Sequence, residues 1–418
     1  MNIKRSDKIL IILIILLIAA ALVFRIGFRS GGNSQGGAAK TEKVNLVFTQ
    51  PQESEWDENL ISSLIEEYET LHPEVSIRWQ PLTYNELRDA RTAIAAADTA
   101  GTEFAAEGRS SLPDIIVMEG PYLAEFIEAE TFRSLAAYLP PETPIEEWAL
   151  PLVSSMDVLF YNIDILKAAG FDRPPRDRRE FLRYAQAVSN GNEGPAKKYG
   201  AALALGPAEI RGVYRDVFSW IWAAGARLIR DGAPDLDDRQ VKDTLAFLAQ
   251  LNREGCLAPQ SFIATGAERL DEFAAGKIAM MTGSVQDIAR VREGMEDGSF
   301  GVTLIPGPAG YAGKPIFGLS VWYAGISRRS EHPDEARNFL FYLREKGALI
   351  AEQIRAVPGS NGQAAPYITE DPFYAKVWDM YEAADLVQEL AAFPKTRELE
   401  NAVREELVKL FAENPPSP

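Results

Sequence analysis

The side chains that most often carry enzymatic chemistry are scarce in this sequence. It has two histidines, His72 and His332, and each stands beside a proline. Its single cysteine, Cys256, follows Gly255 at the predicted end of a helix, so the chain can form no intrachain disulfide and no cysteine-based metal site. Histidine-centred catalysis and zinc chemistry therefore lack the groups that they need. His72 is best explained as a turn residue, because the proline after it bars the helix from continuing.

Motifs for other reaction classes are missing or incomplete. The nearest approach to a nucleophile elbow runs from Gly318 to Trp322, but it lacks the second glycine, and no histidine is placed to serve it. The pattern GxxxxGK[ST] is absent, so nucleotide hydrolysis must come from a partner. The 60 Asp and Glu residues make any chosen pair of carboxylates uninformative about glycoside cleavage. The sequence predicts a binding protein rather than an enzyme, with no cofactor and no metal site.

Aromatic side chains offer a different chemistry, which is stacking against a ligand. Trp322 and Tyr323 are adjacent on a predicted strand, and Trp220 and Trp222 lie on a predicted helix. Adjacent residues on a strand point to opposite faces, so Trp322 and Tyr323 cannot both line a cleft through regular pairing. Aromatic residues on helices are more often buried in a core, because they bury a large area. Both explanations stay open for each ring.

The stretch from Asp271 to Ser327 contains the elements that would position such a site. Its first strand, Ile278 to Met281, stops at a glycine and Ser284 and then feeds a helix. A strand that ends in this way makes a backbone-lined pocket rim, as at the carboxyl ends of open α/β sheets. Two further strands, Phe300 to Ile305 and Phe317 to Ile326, are separated by a proline-rich loop. This order of strands and loop predicts that the chain passes from one lobe to another across a cleft.

Length and composition indicate a folded protein of two lobes. The chain has 418 residues, more than one hydrophobic core usually organises. Short apolar strands alternate with amphipathic helices throughout, which predicts α/β lobes with mostly parallel sheets. The net charge of −17 argues against a nucleic-acid partner, because such a partner requires a basic surface.

Several spaced motifs follow one another in a fixed order along the chain. They include F-x-x-G-K-x-A-M-x-x-G from Phe273, G-V-x-x-x-P-G-P from Gly301, and a Y-N…A-G-F-x-x-P-P segment from Tyr161. The order resembles the extracellular solute-binding proteins of bacterial importers, of the maltodextrin-binding type, over about residues 44 to 412. The resemblance implies a two-lobed periplasmic-binding-protein (type II) clamp with three interlobe crossings. It also implies a monomer that closes on one small solute and offers it to the permease subunits of an ABC importer.

The resemblance implies where the solute binds. In the family, residues after the strand that ends at Glu119 line the cleft, and the position of Trp222 often faces the ligand. The family strand that matches 317–326 brings ligand-facing groups near its start, which favours Trp322 over Tyr323. The family's habitual tryptophan falls at Val285, so one stacking platform is missing. The predicted ligand contacts are Trp322, Trp222, Trp220, Glu119, Glu53, Ser284 and Tyr122.

Alternatives accompany three of these predictions. Trp322 could be buried core, and Glu119 could be a carboxylate that interacts with the dipole of a helix N-terminus. The resembled subfamily mostly binds sugars, so a sugar or oligosaccharide is the predicted solute, but Arg215 leaves a phosphorylated polyol possible. The chain could also serve as a membrane-tethered ligand-sensing module rather than in transport.

The N-terminal segment is a targeting segment. Basic residues precede an unbroken apolar run from Ile9 to Phe24, which is shorter than the roughly 20 residues of a full membrane span. A small-x-small site exists at Ala19 to Ala21, but cleavage there would leave an unusually apolar start, and no lipid-accepting cysteine follows. We expect an uncleaved transmembrane anchor and a flexible tether of the Gly/Ser kind, with the lobes on the extracytoplasmic, periplasmic side.

The chain is therefore expected to divide into six segments. We assign them as a signal or transmembrane anchor (1–29), a tether (30–43), the first part of lobe 1 (44–150), the first part of lobe 2 (151–312), the second part of lobe 1 (313–362) and the C-terminal helices of lobe 2 (363–418). Three crossings between lobes imply a hinge rather than a swivel on one linker.

Overall fold

The computed structural model describes most of the chain after the N-terminal segment. The described residues are 43–52, 54, 56–96, 112–139, 144–191, 197–206, 209, 211–358 and 366–413. The predicted anchor, nearly all of the predicted tether and the candidate contact Glu53 lie outside these ranges. None of the helices within them combines the length and the apolar composition that a bilayer crossing requires.

The strands form one mixed sheet in the order β2-β1-β3-β10-β4-β8-β5, with β9 and β11 paired to β4 and β12 paired to β10. Strands β6 and β7 form a separate antiparallel pair. The bounds are β1 Val44–Thr49, β2 Val75–Trp79, β3 Ile115–Glu119, β4 Ala149–Asn162, β5 Tyr199–Ala202, β6 Ile229–Arg230, β7 Ala233–Pro234, β8 Ile278–Ser284, β9 Phe300–Thr303, β10 Ile316–Ile326, β11 Val357–Pro358 and β12 Asp385–Val387.

Helices cover the sheet, as alternating strands and helices predict. Their bounds are α1 Glu58–Leu71, α2 Tyr84–Ala95, α3 Gly120–Glu128, α4 Ile163–Ala168, α5 Arg178–Asn190, α6 Ser219–Ala223, α7 Arg239–Arg253, α8 Gly266–Ala274, α9 Asp287–Gly294, α10 Pro333–Glu345, α11 Gly347–Gln353, α12 Pro366–Glu370, α13 Pro372–Ala383 and α14 Thr396–Glu413. A π-helical turn, Tyr214–Phe218, runs directly into α6, and short 3-10 turns span Pro259–Phe262 and Glu389–Ala392.

The helix ends follow from the local sequence. Thr83 and Glu86 form a reciprocal capping box at the start of α2, which satisfies backbone N–H groups that have no partner within the helix. Thr265 and Glu268 do the same for α8. Helix α7 ends at Arg253, and the predicted capping glycine, Gly255, adopts a φ of 66°. Such a left-handed residue ends a helix at little steric cost when it is glycine.

We call the half of the sheet built on β1, β2 and β3 the first lobe. These strands are parallel, with β1 in the middle, so that Phe48 pairs with both Trp79 and Ile115. One hydrophobic cluster joins their side chains to α1 and α10, where Phe48 and Tyr68 contact Phe339. Near-continuous apolar strands such as β3 are buried on both faces in this arrangement.

We call the half built on β5, β8 and β9 the second lobe. Strand β5 is parallel to β8, and both β8 and β9 are antiparallel to β4. A second hydrophobic cluster packs the π-helical turn and α5, α6, α7 and α14 beside this half, with Trp220 and Phe181 in edge contact at 5.0 Å. The second lobe therefore has its own core.

Strands β4 and β10 belong to both lobes. Strand β10 pairs with β12 at Gly318 and with β3 at Trp322, and β4 pairs with β10 and also with β8, where Asp157 lies opposite Ser284. Two paired strands of this length make a stiff connection that brings residues from both lobes to its middle. The predicted count of three crossings stays a prediction, because residues 359–365 lie outside the described ranges.

Candidate functional site

An ion pair joins the two lobes at the end of β3. Glu119 is the N-terminal cap residue of α3, but its side chain makes no capping hydrogen bond. Instead, its Oε1 lies 2.9 Å from Nη1 of Arg211, which precedes the π-helical turn of the second lobe. The hydroxyl of Tyr84 donates to Oε2 of Glu119 over 3.2 Å. A buried carboxylate held in this way fixes how the lobes meet.

A second charged cluster lies where β4 crosses from one lobe to the other. Nε of Arg215 is 3.1 Å from Asp157 Oδ1, and Nη1 of Arg215 is 3.6 Å from Asp287. The Ser219 hydroxyl also donates to Asp157. Burial raises the pKa of Asp157 to about 6, and the Arg215 charge offsets only part of that shift. Arg215 owes its position to the π-helical turn, a feature that occurs frequently at functional sites.

Beside the Glu119–Arg211 pair lies a cavity of about 530 Å³, which we call the α14 cavity. One face of α14 forms its longest wall, and the segment before the π-helical turn and the 3-10 turn at Phe262 close its sides. Its lining residues are Leu205, Glu209, Val213, Phe262, Arg397, Glu400, Asn401, Arg404, Leu407, Val408 and Phe411.

Glu400 is the buried acid of this cavity. It is 6% exposed, and its Oε1 has no hydrogen-bond partner among the described residues. Burial raises the pKa of Glu400 to about 8, although Arg397 and Arg404 act in the opposite direction. Glu400 is therefore mostly a neutral acid at pH 7, and a bound polar group could satisfy it.

Tyr122 connects the α14 cavity to the junction between the lobes. It lies on α3, and its buried hydroxyl has no hydrogen-bond partner in the part of the chain that the structure describes. Burial raises the pKa of Tyr122 well above its usual range, and the charges of Glu400 and Glu119 add to the effect. Its ring lies 5.0 Å from that of Tyr84. Tyr122 and Glu119 thus lie close enough to Glu400 to interact with it electrostatically, although neither lines the α14 cavity.

Backbone contacts hold the remaining polar groups of the cavity in place. The carboxylate of Glu209 accepts from the backbone N–H of Gly266 at 2.6 Å and from that of Arg211 at 3.1 Å. Nη1 of Arg404 donates to the Leu205 carbonyl at 2.7 Å. These groups are oriented before any ligand arrives, which reduces the entropic cost of binding.

Apolar groups form the other side of the α14 cavity. The rings of Phe262 and Phe411 meet edge to face, with centroids 5.0 Å apart. Val408 is 59% exposed, and Ile263, which follows Phe262, is 72% exposed. Rings on one side and hydrogen-bonding groups on the other suit a small molecule with an apolar face and several hydroxyl groups. Within the part of the chain that the structure describes, no group of three or more His, Cys, Asp and Glu is arranged to hold a metal ion.

The structure places Trp322 in the core of the first lobe. The ring has no exposed surface, and its centroid lies 6.3 Å from that of Trp56. Tyr323, on the opposite face of β10, packs on Gly120 and donates to Gln388 at 3.2 Å. The position of Trp322 agrees with the buried-core alternative, because strand alternation assigns this side chain to the first-lobe face.

The two helical tryptophans lie in the second-lobe core. Trp222 is 1% exposed, packs against the backbone of Gly318, and donates from Nε1 to Glu389 at 2.6 Å. Trp220 packs on Phe181 and on the guanidinium of Arg178, which also donates to the Trp220 carbonyl. Neither ring lines the α14 cavity.

The polar candidates lie at different points of the junction. Ser284 has no exposed surface, and its Oγ is 2.6 Å from Oγ of Ser155. Glu119 and Tyr122 lie beside the α14 cavity, as described above. Val285, where a family tryptophan is missing, belongs to a core cluster. The structure thus brings Glu119 and Tyr122 together near the cavity and leaves Ser284 at the crossing strands.

Sequence reasoning missed most of the cavity. Glu400 and Asn401 each lie three or four residues from both Arg397 and Arg404 on α14, so the four side chains share one helix face. That polar stripe is visible in the sequence, but a polar stripe usually faces solvent. The local sequence did not predict a role for Arg211, because its partner Glu119 is 92 positions away along the chain.

Comparison with known proteins agrees with this architecture. An ABC transporter solute-binding protein from Agrobacterium radiobacter, in complex with ribitol, superposes with a TM-score of 0.70 at 17% identity, covering 90% of this chain and 98% of that one. The GacH receptor of Streptomyces glaucescens gives a TM-score of 0.66 at 18% identity, covering 89% and 94%. At such identities the likeness shows the fold alone, and it confirms the predicted α/β two-lobed periplasmic-binding-protein architecture.

The sequence comparisons address the family. A probable ABC transporter-binding protein of Deinococcus radiodurans is 27% identical over 246 residues, which is 56% of this chain and 57% of that protein. The chain thus spans less than two thirds of the length of this curated relative. The family model for the bacterial extracellular solute-binding proteins matches residues 51–349. Because that match covers well over half of the sequence, the chain belongs to the bacterial extracellular solute-binding proteins.

Proposed function

We propose that this protein is an extracytoplasmic receptor that binds a sugar or oligosaccharide in the α14 cavity and delivers it to an ABC permease. The observation that carries the proposal is the cavity itself, about 530 Å³ in volume and placed beside the Glu119–Arg211 pair that joins the lobes. Its size is that of a typical small-molecule site. A solute held there contacts one lobe through α14 and reaches the other through Tyr122.

Structural neighbours support a polyhydroxylated solute. Their structures hold ribitol in the Agrobacterium radiobacter protein, α-D-tagatose in a Thermotoga lettingae protein and acarbose in GacH. These ligands share many hydroxyl groups, which require donors and acceptors such as those of Glu209, Asn401 and Arg404. The residues of the α14 cavity therefore suit the same chemical class.

A phosphorylated polyol bound at Arg215 is the weaker alternative. Two carboxylates, Asp157 and Asp287, already lie within 3.6 Å of the Arg215 guanidinium. They neutralise its charge, so a phosphate placed there would face net repulsion. We therefore retain Glu119 and Tyr122 as proposed ligand contacts and treat the Arg215 cluster as part of the hinge between the lobes.

For the remaining predicted contacts we propose an indirect role, except for Glu53. Four of these residues are buried: Trp322, Trp222, Trp220 and Ser284. We propose that they support the elements around the binding site and do not contact the solute. Glu53 remains a proposed contact.

We further propose that the chain is held at the membrane by residues 1–29 and works as a monomer with the permease subunits. A ligand-sensing role would use the same lobes, and the partner in the membrane distinguishes the two. Co-purification of the full-length chain with permease subunits supports transport, whereas co-purification with a kinase or regulator supports sensing.

The binding proposal is tested by thermal denaturation of the full-length protein in detergent with a panel of sugars and polyols. A solute at a hundred times its dissociation constant should add about 2.7 kcal/mol to the free energy of unfolding. Asn401→Ala, which removes a cavity side chain, should abolish the effect, whereas Glu398→Ala, an exposed change on the same helix outside the cavity, should not. The proposal is wrong if no member of the panel stabilises the protein.

A further inference from the structure

The α14 cavity contains two arginines that form no ion pair with a carboxylate of the described residues. Arg397 and Arg404 both line it, seven positions apart on one face of α14. Among the described residues, no carboxylate oxygen lies within ion-pair distance (4.0 Å) of either guanidinium. Within the described part of the chain, Arg404 donates a hydrogen bond to the Leu205 carbonyl at 2.7 Å. Unpaired guanidinium groups facing a cavity are anion-binding groups.

Two acids share this cavity, but together they do not balance the charges of both arginines. Glu400 lies between them at helical spacings that permit ion pairs, yet its Oε1 is buried and unpartnered. Its raised pKa of about 8 keeps it mainly neutral at pH 7. The carboxylate of Glu209 is engaged by two backbone N–H groups. The lining therefore carries two positive charges against one negative charge, in a protein whose net charge is −17.

We propose that the solute of the α14 cavity is an acidic saccharide, one whose sugar ring bears a carboxylate, and that Arg397 and Arg404 bind this carboxylate. The inference rests on the proposed function and narrows its substrate class. A carboxylate carries one negative charge, which matches the one uncompensated positive charge of the lining. A phosphate ester carries about −1.5 to −2 at pH 7 and would exceed it. The planar fork of arginine also matches the geometry of a carboxylate.

The remaining lining groups complete a site for such a molecule. Phe262 and Phe411 offer apolar faces to the sugar ring, and Asn401 and the neutral acid of Glu400 offer both donors and acceptors to hydroxyl groups. Glu400 as a neutral acid adds no repulsion toward the carboxylate of the ligand. The unpartnered Oε1 would then gain a hydroxyl donor from the solute.

The test is a titration of the full-length protein by calorimetry with matched pairs of probes. Uronic-acid mono- and disaccharides are compared with neutral sugars of the same linkage and with the corresponding sugar phosphates. We expect the uronic acids to bind at least tenfold more tightly than either of the others, with an affinity that falls as salt rises. Arg397→Gln should lower uronate affinity at least tenfold and lower neutral-sugar affinity by a much smaller factor.

Two further variants keep the result interpretable. Arg404→Gln should also lower uronate affinity, but it removes a proposed donor to neutral sugars and the bond to the Leu205 carbonyl as well, so Arg397→Gln is the primary variant. Glu398→Gln changes an exposed acid of α14 outside the cavity and should leave uronate affinity unchanged. Neutral sugars or sugar phosphates binding as tightly as uronic acids would overturn the acidic-saccharide proposal and leave the receptor proposal intact. Failure of every saccharide to bind would overturn both.

Discussion

A buried polar atom without a hydrogen bond is the feature that best marks a residue as a candidate ligand contact. Glu400 and Tyr122 each have a buried polar atom that forms no hydrogen bond with any described residue. Such atoms cost free energy in the unliganded protein, and a ligand that supplies the missing partner recovers it. Trp322 shows the opposite case, because its large ring is wholly enclosed by the first-lobe core. Its contribution is therefore expected to be to stability.

Replacement of Trp322 by alanine tests that assignment. The ring contacts Trp56 and has no exposed surface, so Trp322→Ala should lower the free energy of unfolding by roughly 3–5 kcal/mol. Chemical denaturation of the unliganded protein measures this loss, with Tyr138→Ala, an exposed aromatic change, as the control. If the variant were as stable as the parent but no longer bound the ligand, Trp322 would be a ligand contact rather than a core residue.

Glu400 makes stability depend on pH in a predictable direction. Its pKa is about 8 in the folded protein and 4.5 ordinarily, so the folded state favours the protonated acid. The stabilisation is complete below pH 4.5 and is lost progressively as pH rises to 8. Arg397 and Arg404 oppose the shift, and Glu119 adds to it.

Denaturation of the unliganded protein between pH 5 and pH 8, in steps of about one unit, measures this loss. Glu400→Gln cannot ionise, so its free energy of unfolding should fall less across this window than that of the parent. Equal slopes for parent and variant would show that Glu400 titrates near its ordinary pKa.

At the scale of elements, the long strands β4 and β10 connect the two lobes. Asp157 of β4 lies opposite Ser284 of β8, and β4 also pairs with β10. The ring of Trp222 packs against β10. That ring fits against β10 because Gly318 has no side chain there. Helix α14 then adds the cavity wall, since one of its faces packs in the second-lobe core and another faces the cavity.

Gly318 should therefore tolerate no side chain. A Cβ at this position would lie well inside contact distance of the Trp222 ring, so Gly318→Ala should destabilise the protein by about 1–3 kcal/mol. Gly298→Ala is the matched control, because a Cβ there meets no atom within 4 Å. Urea denaturation compares the two, and equal stability of both variants would show that β10 and Trp222 can separate without cost.

At the scale of the whole molecule, attachment to the membrane depends on the N-terminal segment and not on the two lobes. The apolar run from Ile9 to Phe24 has neither a convincing cleavage site nor a lipid-accepting cysteine after it. We predict that the mature protein retains this run. Intact-mass measurement and N-terminal sequencing of membrane-extracted protein test it, and a chain that starts near Leu22 or later would contradict the prediction.

The sequence by itself determined the family, through its spaced motifs, and the fold class, because alternating apolar strands and amphipathic helices predict α/β lobes. It did not determine which way Trp322 faces. One step along a strand exchanges the two faces, and the pairing of β10 with β4 shifts between Trp322 and Tyr323. The α14 cavity was likewise decided by tertiary structure. Glu119, Arg211 and Glu400 are far apart in sequence, and only the packing of α3, the π-helical turn and α14 makes them neighbours.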